Sequence, residues 1–350
     1  MSQPSHEPIG DEMQDNANPP APSPKPKMRA VVGREYGSTD VLKVEEIDRP
    51  SIDSDEVLVG VVAAGLDRGV WHLMTGLPYL VRAMGYGLSR PKQQVLGSDV
   101  AGRVVAVGSD VTRLAVGDAV FGVADGSFAE FARAKASKLV KKPDSLSFEH
   151  AAVATISGIT ALQGLTKVGR LEAGQHVLVI GASGGVGSFA VQIAKALDAT
   201  VTGVASTAKL DFVRSLGADR VIDYTTTAID EGDQRYDLIL DIGGRNPLAT
   251  LRRALATDGS LVMVGGEGGG QFTGGVERQI GAALASPFAS QRFTFFVSSE
   301  SLEYIEPLAE YLADGTVVPV IGESYSLEQV PDAIDAMEAG TLTGKAVISV

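Results

Sequence analysis

Ala182, Gly184 and Gly187 stand in an A-x-G-x-x-G pattern, directly after the apolar run His176–Ile180 and directly before a helical repeat. Glycines at that spacing let the backbone turn tightly and approach a pyrophosphate, and the helix that follows turns its positive end toward it. Ser183, Gly185 and Val186 fill the turn. After a second apolar run, Thr200–Ala205, come Ser206, Thr207 and Lys209, with Ser206 nineteen positions beyond Gly187. A site for an unphosphorylated ribose places a carboxylate about 20 positions on. Two hydroxyls and an ammonium suit a ribose 2′-phosphate instead, through charge-assisted hydrogen bonds. Tyr224, ending a further short strand, is placed to cover the adenine or to bond the same phosphate. These residues are read as an NADPH site in preference to an NADH site. The competing reading is a closely packed βα turn that binds nothing, with Lys209 solvated at the start of a surface helix.

Elements of a definite kind must position these residues. Val186, Phe189, Ala190, Ile193, Ala194 and Leu197 fall on one face of the helix after the turn. Strand, turn, helix and parallel strand form one nucleotide-binding unit. The alternation continues to about residue 299, through Tyr236–Asp241 and Ser260–Val264. Before it, residues 28–142 read as short strands broken by Gly and Asp turns, with strands at Val57–Ala64, Ala101–Val107 and Ser127–Arg133. Ser147–Val168 reads as helical, interrupted at Gly158. Leu302–Ala313 and Gln329–Glu338 read as amphipathic helices and Lys345–Val350 as a closing strand. The expected division is a β-rich catalytic domain over 28–150, completed by 315–350, and a doubly wound nucleotide domain over 151–314. Residues 1–27 hold seven prolines and few large apolar groups, which reads as a disordered tail.

Composition sets limits. The chain has 350 residues, 44% of them hydrophobic, and a formal net charge of −13, which speaks against nucleic acid or an anionic membrane as partner. No apolar run has the length of a membrane span and no signal peptide is visible, so a cytoplasmic protein is expected. With no cysteine, disulfides, thiolate chemistry and Cys-ligated zinc are excluded. Four histidines, His6, His72, His150 and His176, are scattered, and no metal site is expected. His150 and His176 read as structural, and His6 lies in the tail.

The successive motifs MRAVV, VLVGVVAAGLDRGVWHLMTG, VLGSDVAGRVVAVGSDVTRLAVGDAVFG, ISGITALQGL, VLVIGASGGVGSFAVQIAK, LGADRVIDY and GKAVISV carry a resemblance. From Met28 to Val350 the chain resembles the medium-chain dehydrogenase/reductase superfamily, in its zinc-free quinone oxidoreductase (zeta-crystallin-like) branch. The resemblance implies an α/β protein with a GroES-like catalytic domain, a Rossmann domain and a homodimer joined through Rossmann sheet edges. It implies 2′-phosphate contacts from Ser206, Lys209 and Tyr224, a nicotinamide-proximal Thr160, and further cofactor contacts from Gly265, Gly266 and Glu267 and from Phe295, Phe296 and Val297. Zinc-dependent relatives carry Gly-His-Glu where this chain has Gly97-Ser98-Asp99. The branch's usual Asn, Asp, Tyr and Arg after the strand ending at Ala64 are here Asp67, Val70, His72 and Met74.

The reaction implied is hydride transfer from NADPH to a quinone or an α,β-unsaturated carbonyl, because a conjugated acceptor spreads the incoming charge over its own π system. Asp67 is the orienting candidate, His72 the candidate proton donor, and Tyr79 a substitute for it on a helical lid between Gly76 and Gly97 that also carries Arg82, Tyr86 and Arg90. An NADPH-binding sensor or structural protein with little turnover and a zinc-free alcohol or carbonyl dehydrogenase stay open as alternatives.

Overall fold

The computed structural model describes residues 26–265, 270–275, 279, 281–282 and 290–350. The expectation of a disordered tail falls on residues outside these, except that Lys27 already opens the first strand. Seven strands precede the first long helix: β1 (Lys27–Gly33), β2 (Leu42–Asp48), β3 (Glu56–Gly65), β4 (Asp99–Val107), β5 (Ala119–Val123), β6 (Phe131–Lys135) and β7 (Leu139–Lys141). β1 and β2 pair antiparallel as a separate ribbon. β3, β4, β5 and β7 lie in one mostly antiparallel sheet, and β6 pairs with β3. The strand expected at Ser127–Arg133 therefore begins later, at Phe131. Ser127–Ala129 instead lies across the ribbon, where Val31 N–H donates to Phe128 O at 2.8 Å.

The second sheet has six parallel strands: β8 (His176–Ile180), β9 (Thr200–Ala205), β10 (Arg220–Asp223), β11 (Tyr236–Asp241), β12 (Leu255–Met263) and β13 (Arg292–Phe295), in the order β10-β9-β8-β11-β12-β13. β8, β9 and β11 are buried nearly throughout, as strands covered by helices on both faces must be. The order reverses between β8 and β11, so a crevice opens beyond Ile180 and Asp241 at the carboxyl ends. Phe189, Ala190, Ile193 and Ala194 of the helix Gly185–Ala196 are fully buried, on the face their spacing indicates.

The chain then returns to the first sheet through β14 (Ile321–Ser326) and β15 (Lys345–Ser349), which joins β3. Each chain end thus contributes to the β-rich domain, and the nucleotide-type sheet lies between them in sequence. This is a GroES-like domain joined to a Rossmann-like parallel sheet.

Two further expectations need correction. The helical stretch after Ser147 breaks at Val153 and Ala154, not at Gly158: helices run over Phe148–Ala152 and Thr155–Gln163. Gly158 is mid-helix because the helix Leu302–Ala313 crosses there; a Cβ on Gly158 would lie 2.6 Å from Leu308 Cδ2. The segment after Gly76 is not a helical lid. It makes one turn at Tyr79–Val81 and a wide turn at Arg82–Tyr86 in which Gly85 leaves helical geometry (φ 111°), and runs on without helix to β4. Glycines at 85 and 87 with positive φ explain the loss of helix.

Candidate functional site

The turn after β8 is built by packing. Gly187 sits so close to the start of the turn that a Cβ would fall 2.1 Å from Gly181 O and 2.7 Å from Ala182 Cα. Gly184, the residue preceding the helix, meets only Gly181 O at 3.6 Å, so its outer face is open. An open glycine beside first-turn N–H groups is a cradle for an anion. Gly187→Ala is therefore expected to lower stability by about 1–3 kcal/mol through overpacking, read as a lower thermal midpoint; an unchanged midpoint would show that the turn does not need this glycine.

Beyond β9 the structure brings Ser206, Thr207 and Tyr224 together, with Tyr224 N–H donating to Ala205 O at 3.2 Å. Tyr224 stands exposed. Two features of this corner escape sequence reasoning. Asp223 faces it: Thr207 Oγ1 donates to its Oδ2 at 2.5 Å, and Thr225 N–H and Oγ1 donate to its Oδ1 at 2.9 and 2.7 Å. These bonds, that from Thr207 foremost, hold the Asp223 carboxyl below its ordinary range. Lys209, in turn, reaches the other domain, donating to Gly340 O at 2.8 Å and Leu342 O at 2.6 Å. Burial depresses its pKa.

Thr160 is buried on the helix Thr155–Gln163 and donates to Ile156 O at 2.6 Å. Gly265, at the end of β12, has no room for a side chain, with Ile242 O 2.1 Å from a Cβ position. Gly266 and Glu267 lie outside the described residues. Phe295 and Val297 project from the end of β13, whereas Phe296 packs inward, 3.6 Å from a Cβ position on Gly164.

On the β-rich side, Asp67 caps the helix Arg68–Thr75, its Oδ1 accepting from Gly69 N–H at 2.7 Å. Its Oδ2 is buried with no hydrogen-bond partner. His72, on the same helix, packs edge-on against Trp71, and its Nδ1 lies 2.6 Å from Leu77 O. A carbonyl only accepts, so the proton is on Nδ1 and Nε2 is the basic nitrogen. Tyr79 stacks obliquely on Phe272 with 5.3 Å between ring centres. His150 binds Ser147 Oγ at 3.0 Å and His176 binds Gln234 Nε2 at 2.8 Å, both through Nδ1.

The strongest electrostatic feature is one the sequence does not announce. Asp99 and Lys345, 0% and 4% exposed, form an ion pair at 2.9 Å. Asp99 Oδ1 also accepts from Ile156 N–H at 2.8 Å. The Lys345 stem lies against the cradle, its Cδ 2.8 Å from a Cβ position on Gly185. Gly344 N–H donates to Ser183 O at 2.9 Å. One strand thus ties the floor of the β-rich domain to the phosphate-type turn. Burial pushes the Asp99 carboxyl up to about 6, with Lys345 pulling the other way.

This fold and site define a two-domain dehydrogenase-type α/β protein with an open glycine cradle at the switch of its parallel sheet. Residues 53–144 match the alcohol dehydrogenase GroES-like domain family and residues 216–348 the zinc-binding dehydrogenase family. The chain is 34% identical over 337 residues to 2-methylene-furan-3-one reductase of Solanum lycopersicum, covering 92% of this chain and 79% of that one. It is 33% identical to the NADPH-dependent alkenal/one oxidoreductase, chloroplastic, of Arabidopsis thaliana over 95% and 82% of the two. The quinone oxidoreductase of Coxiella burnetii superposes with a TM-score of 0.80 at 25% identity, covering 93% of this chain and all of that one. The chain belongs to the medium-chain dehydrogenase/reductase superfamily and is an oxidoreductase.

The zinc that the matched family's description implies does not fit the residues present. At the Gly97-Ser98-Asp99 position one carboxylate oxygen is bound to the Lys345 ammonium and the other to a backbone N–H. A cation already fills the place a metal would need. Among the described residues no three His, Asp or Glu side chains converge.

Proposed function

We propose that this chain is a zinc-independent NADPH-dependent reductase of conjugated carbonyls or quinones. The observation that carries the reading is an open glycine cradle after β8 with Ser206 and Tyr224 at the ends of the neighbouring parallel strands β9 and β10, and Lys209 three residues beyond Ser206, its ammonium on Gly340 O and Leu342 O. The glycines fit the coenzyme's pyrophosphate, and the Ser206–Lys209 corner its 2′-phosphate. Two curated relatives point the same way by their names, one for an alkenal/one substrate with NADPH and one for a furanone.

When bound, NADPH supplies the hydride. The protein's own part is to orient, to screen from water and to move a proton. Thr160 and the ends of β12 and β13 border the nicotinamide position; Phe296 braces that border from inside the core. Asp67 fixes the helix that carries His72, and the Leu77 carbonyl holds the Nδ1–H so that Nε2 takes up a proton from water and passes it to the reduced acceptor, the ring returning to its neutral Nδ1–H form. A conjugated acceptor needs no metal for this, because the charge arriving with the hydride is already delocalised when the proton arrives. His72→Gln is expected to lower kcat about tenfold, water substituting in part, with coenzyme affinity unchanged. An undiminished kcat would remove His72 from the mechanism. Among the described residues β13 ends the parallel sheet, which supports a homodimer formed by sheet continuation, to be read by light scattering in solution.

The deciding experiment is steady-state turnover with NADPH and with NADH against enones, enals, quinones and saturated aldehydes. Rapid use of NADPH with the conjugated compounds alone is expected. Binding of NADPH with no acceptor reduced would overturn the reading in favour of a sensor, and reduction of saturated aldehydes would favour a carbonyl dehydrogenase.

A further inference from the structure

Among the described residues, the segment after the His72 helix and the neighbouring Phe272 expose several large apolar side chains. Met84 is 65% exposed, Leu88 77% and Phe272 75%, with Leu80, Tyr79 and Tyr86 also open. It is held in a set position. Tyr79 N–H and Leu80 N–H donate to Gln271 O at 2.8 Å and Phe272 O at 3.2 Å, pinning the flap to the segment beyond β12. Tyr36 Oη donates to Gly87 O at 2.7 Å. Apolar tips kept exposed on a fixed flap are a docking feature.

The local charge is opposite to that of the chain. From Arg68 to Ser98 the sequence has no Asp or Glu, in a protein of net charge −13. Arg82 is used internally, donating to Gly76 O at 2.9 Å with its guanidinium over the rings of Tyr36 and Tyr79. Arg90 and Lys92 are exposed beside Leu88.

We propose that this flap docks on an anionic lipid surface, inserting Met84, Leu88 and Phe272 while Arg90 and Lys92 meet headgroups. The expectation against membranes rests on whole-chain charge and does not exclude this, because headgroup attraction falls off within a Debye length and is decided by the nearest groups. A second copy is disfavoured as occupant, since an isologous contact would bring the Arg90 and Lys92 of both copies into one interface with no Asp or Glu from Arg68 to Ser98 to offset them. No helix among the described residues is long and apolar enough to cross a membrane, so the association would be peripheral. The flap is bonded to Gln271 and Phe272 in the chain beyond β12, an arrangement that would let a lipophilic acceptor pass from the bilayer toward the carboxyl ends of the strands. That benefit rests on the proposed function; the docking does not.

The test is flotation of the full chain with vesicles of phosphatidylcholine alone and of phosphatidylcholine mixed with phosphatidylglycerol. Binding to the mixed vesicles is expected, reduced by salt and lost in Met84→Glu/Leu88→Glu. Each of Arg90→Gln and Lys92→Gln should weaken it about fivefold. Turnover of a water-soluble enone by Met84→Glu/Leu88→Glu should match the parent, which tests the enzyme reading separately. Absence of binding by the parent, or binding untouched by the Met84/Leu88 variant, overturns the proposal. So does a change of oligomeric state in that variant, which would make the patch a contact between copies.

Discussion

Lys345→Met is expected to destabilise the folded protein by about 3–5 kcal/mol at neutral pH, because it leaves the Asp99 carboxylate buried without its cation. Asp99 is wholly inaccessible and keeps only the Ile156 N–H once the ammonium is gone. The double variant Asp99→Asn/Lys345→Met should recover much of the loss, since removing both charges removes the desolvation penalty along with the attraction. The cost should also depend on pH, with a definite sign. Burial raises the Asp99 carboxyl from 3.8 to about 6 in the fold. A group with a raised folded pKa contributes stability that is complete below its unfolded value and is lost as pH rises through the folded value. Without Lys345 the carboxyl is pushed higher still, so the loss extends upward. Chemical denaturation should find the penalty of Lys345→Met smallest near pH 5, where the carboxyl is protonated in parent and variant alike, and largest above pH 7. A penalty independent of pH would show that the lysine acts through packing of its stem against Gly185.

Lys209→Met is expected to reduce kcat/KM for NADPH about 10- to 100-fold while leaving NADH nearly unchanged, in keeping with the loss of hydrogen bonds between charged groups. The effect is expected to lie in KM. Asp223 explains why one lysine should matter so much. Its carboxylate is bonded to Thr207 at the same corner, so a phosphate bound there needs a cation beside it, the role proposed for Lys209. The ammonium is also engaged with Gly340 O and Leu342 O, so the phosphate must share or displace those carbonyls. Equal losses with both coenzymes would mean that Lys209 serves chiefly as a tether between domains. Steady-state kinetics with each coenzyme at saturating acceptor separates the two cases.

Local patterning was enough to read the cradle. The strands His176–Ile180, Thr200–Ala205 and Tyr236–Asp241 and the helix Leu302–Ala313 lie where periodicity places them, because burial of a face imposes its period on the residues. Elsewhere the local signal misled. Gly158 reads as a helix breaker, yet it is the point where a second helix crosses, and the apolar run after Gly76 reads as helix although glycines at positive φ unwind it. Those outcomes depend on neighbours that sequence windows do not contain.

By itself the sequence determined the succession of domains, the glycine turn with its hydroxyl and amine corner, and the lack of thiolate ligands, all of which follow from residue type and short spacing. Only the tertiary structure decided that Lys345 pairs with Asp99 across 246 positions, that Lys209 holds a loop of the opposite domain, and that Asp223 faces Thr207. A charge finds its partner through the fold, since the energy of a buried pair depends on distance and desolvation, neither of which is written in the order of residues.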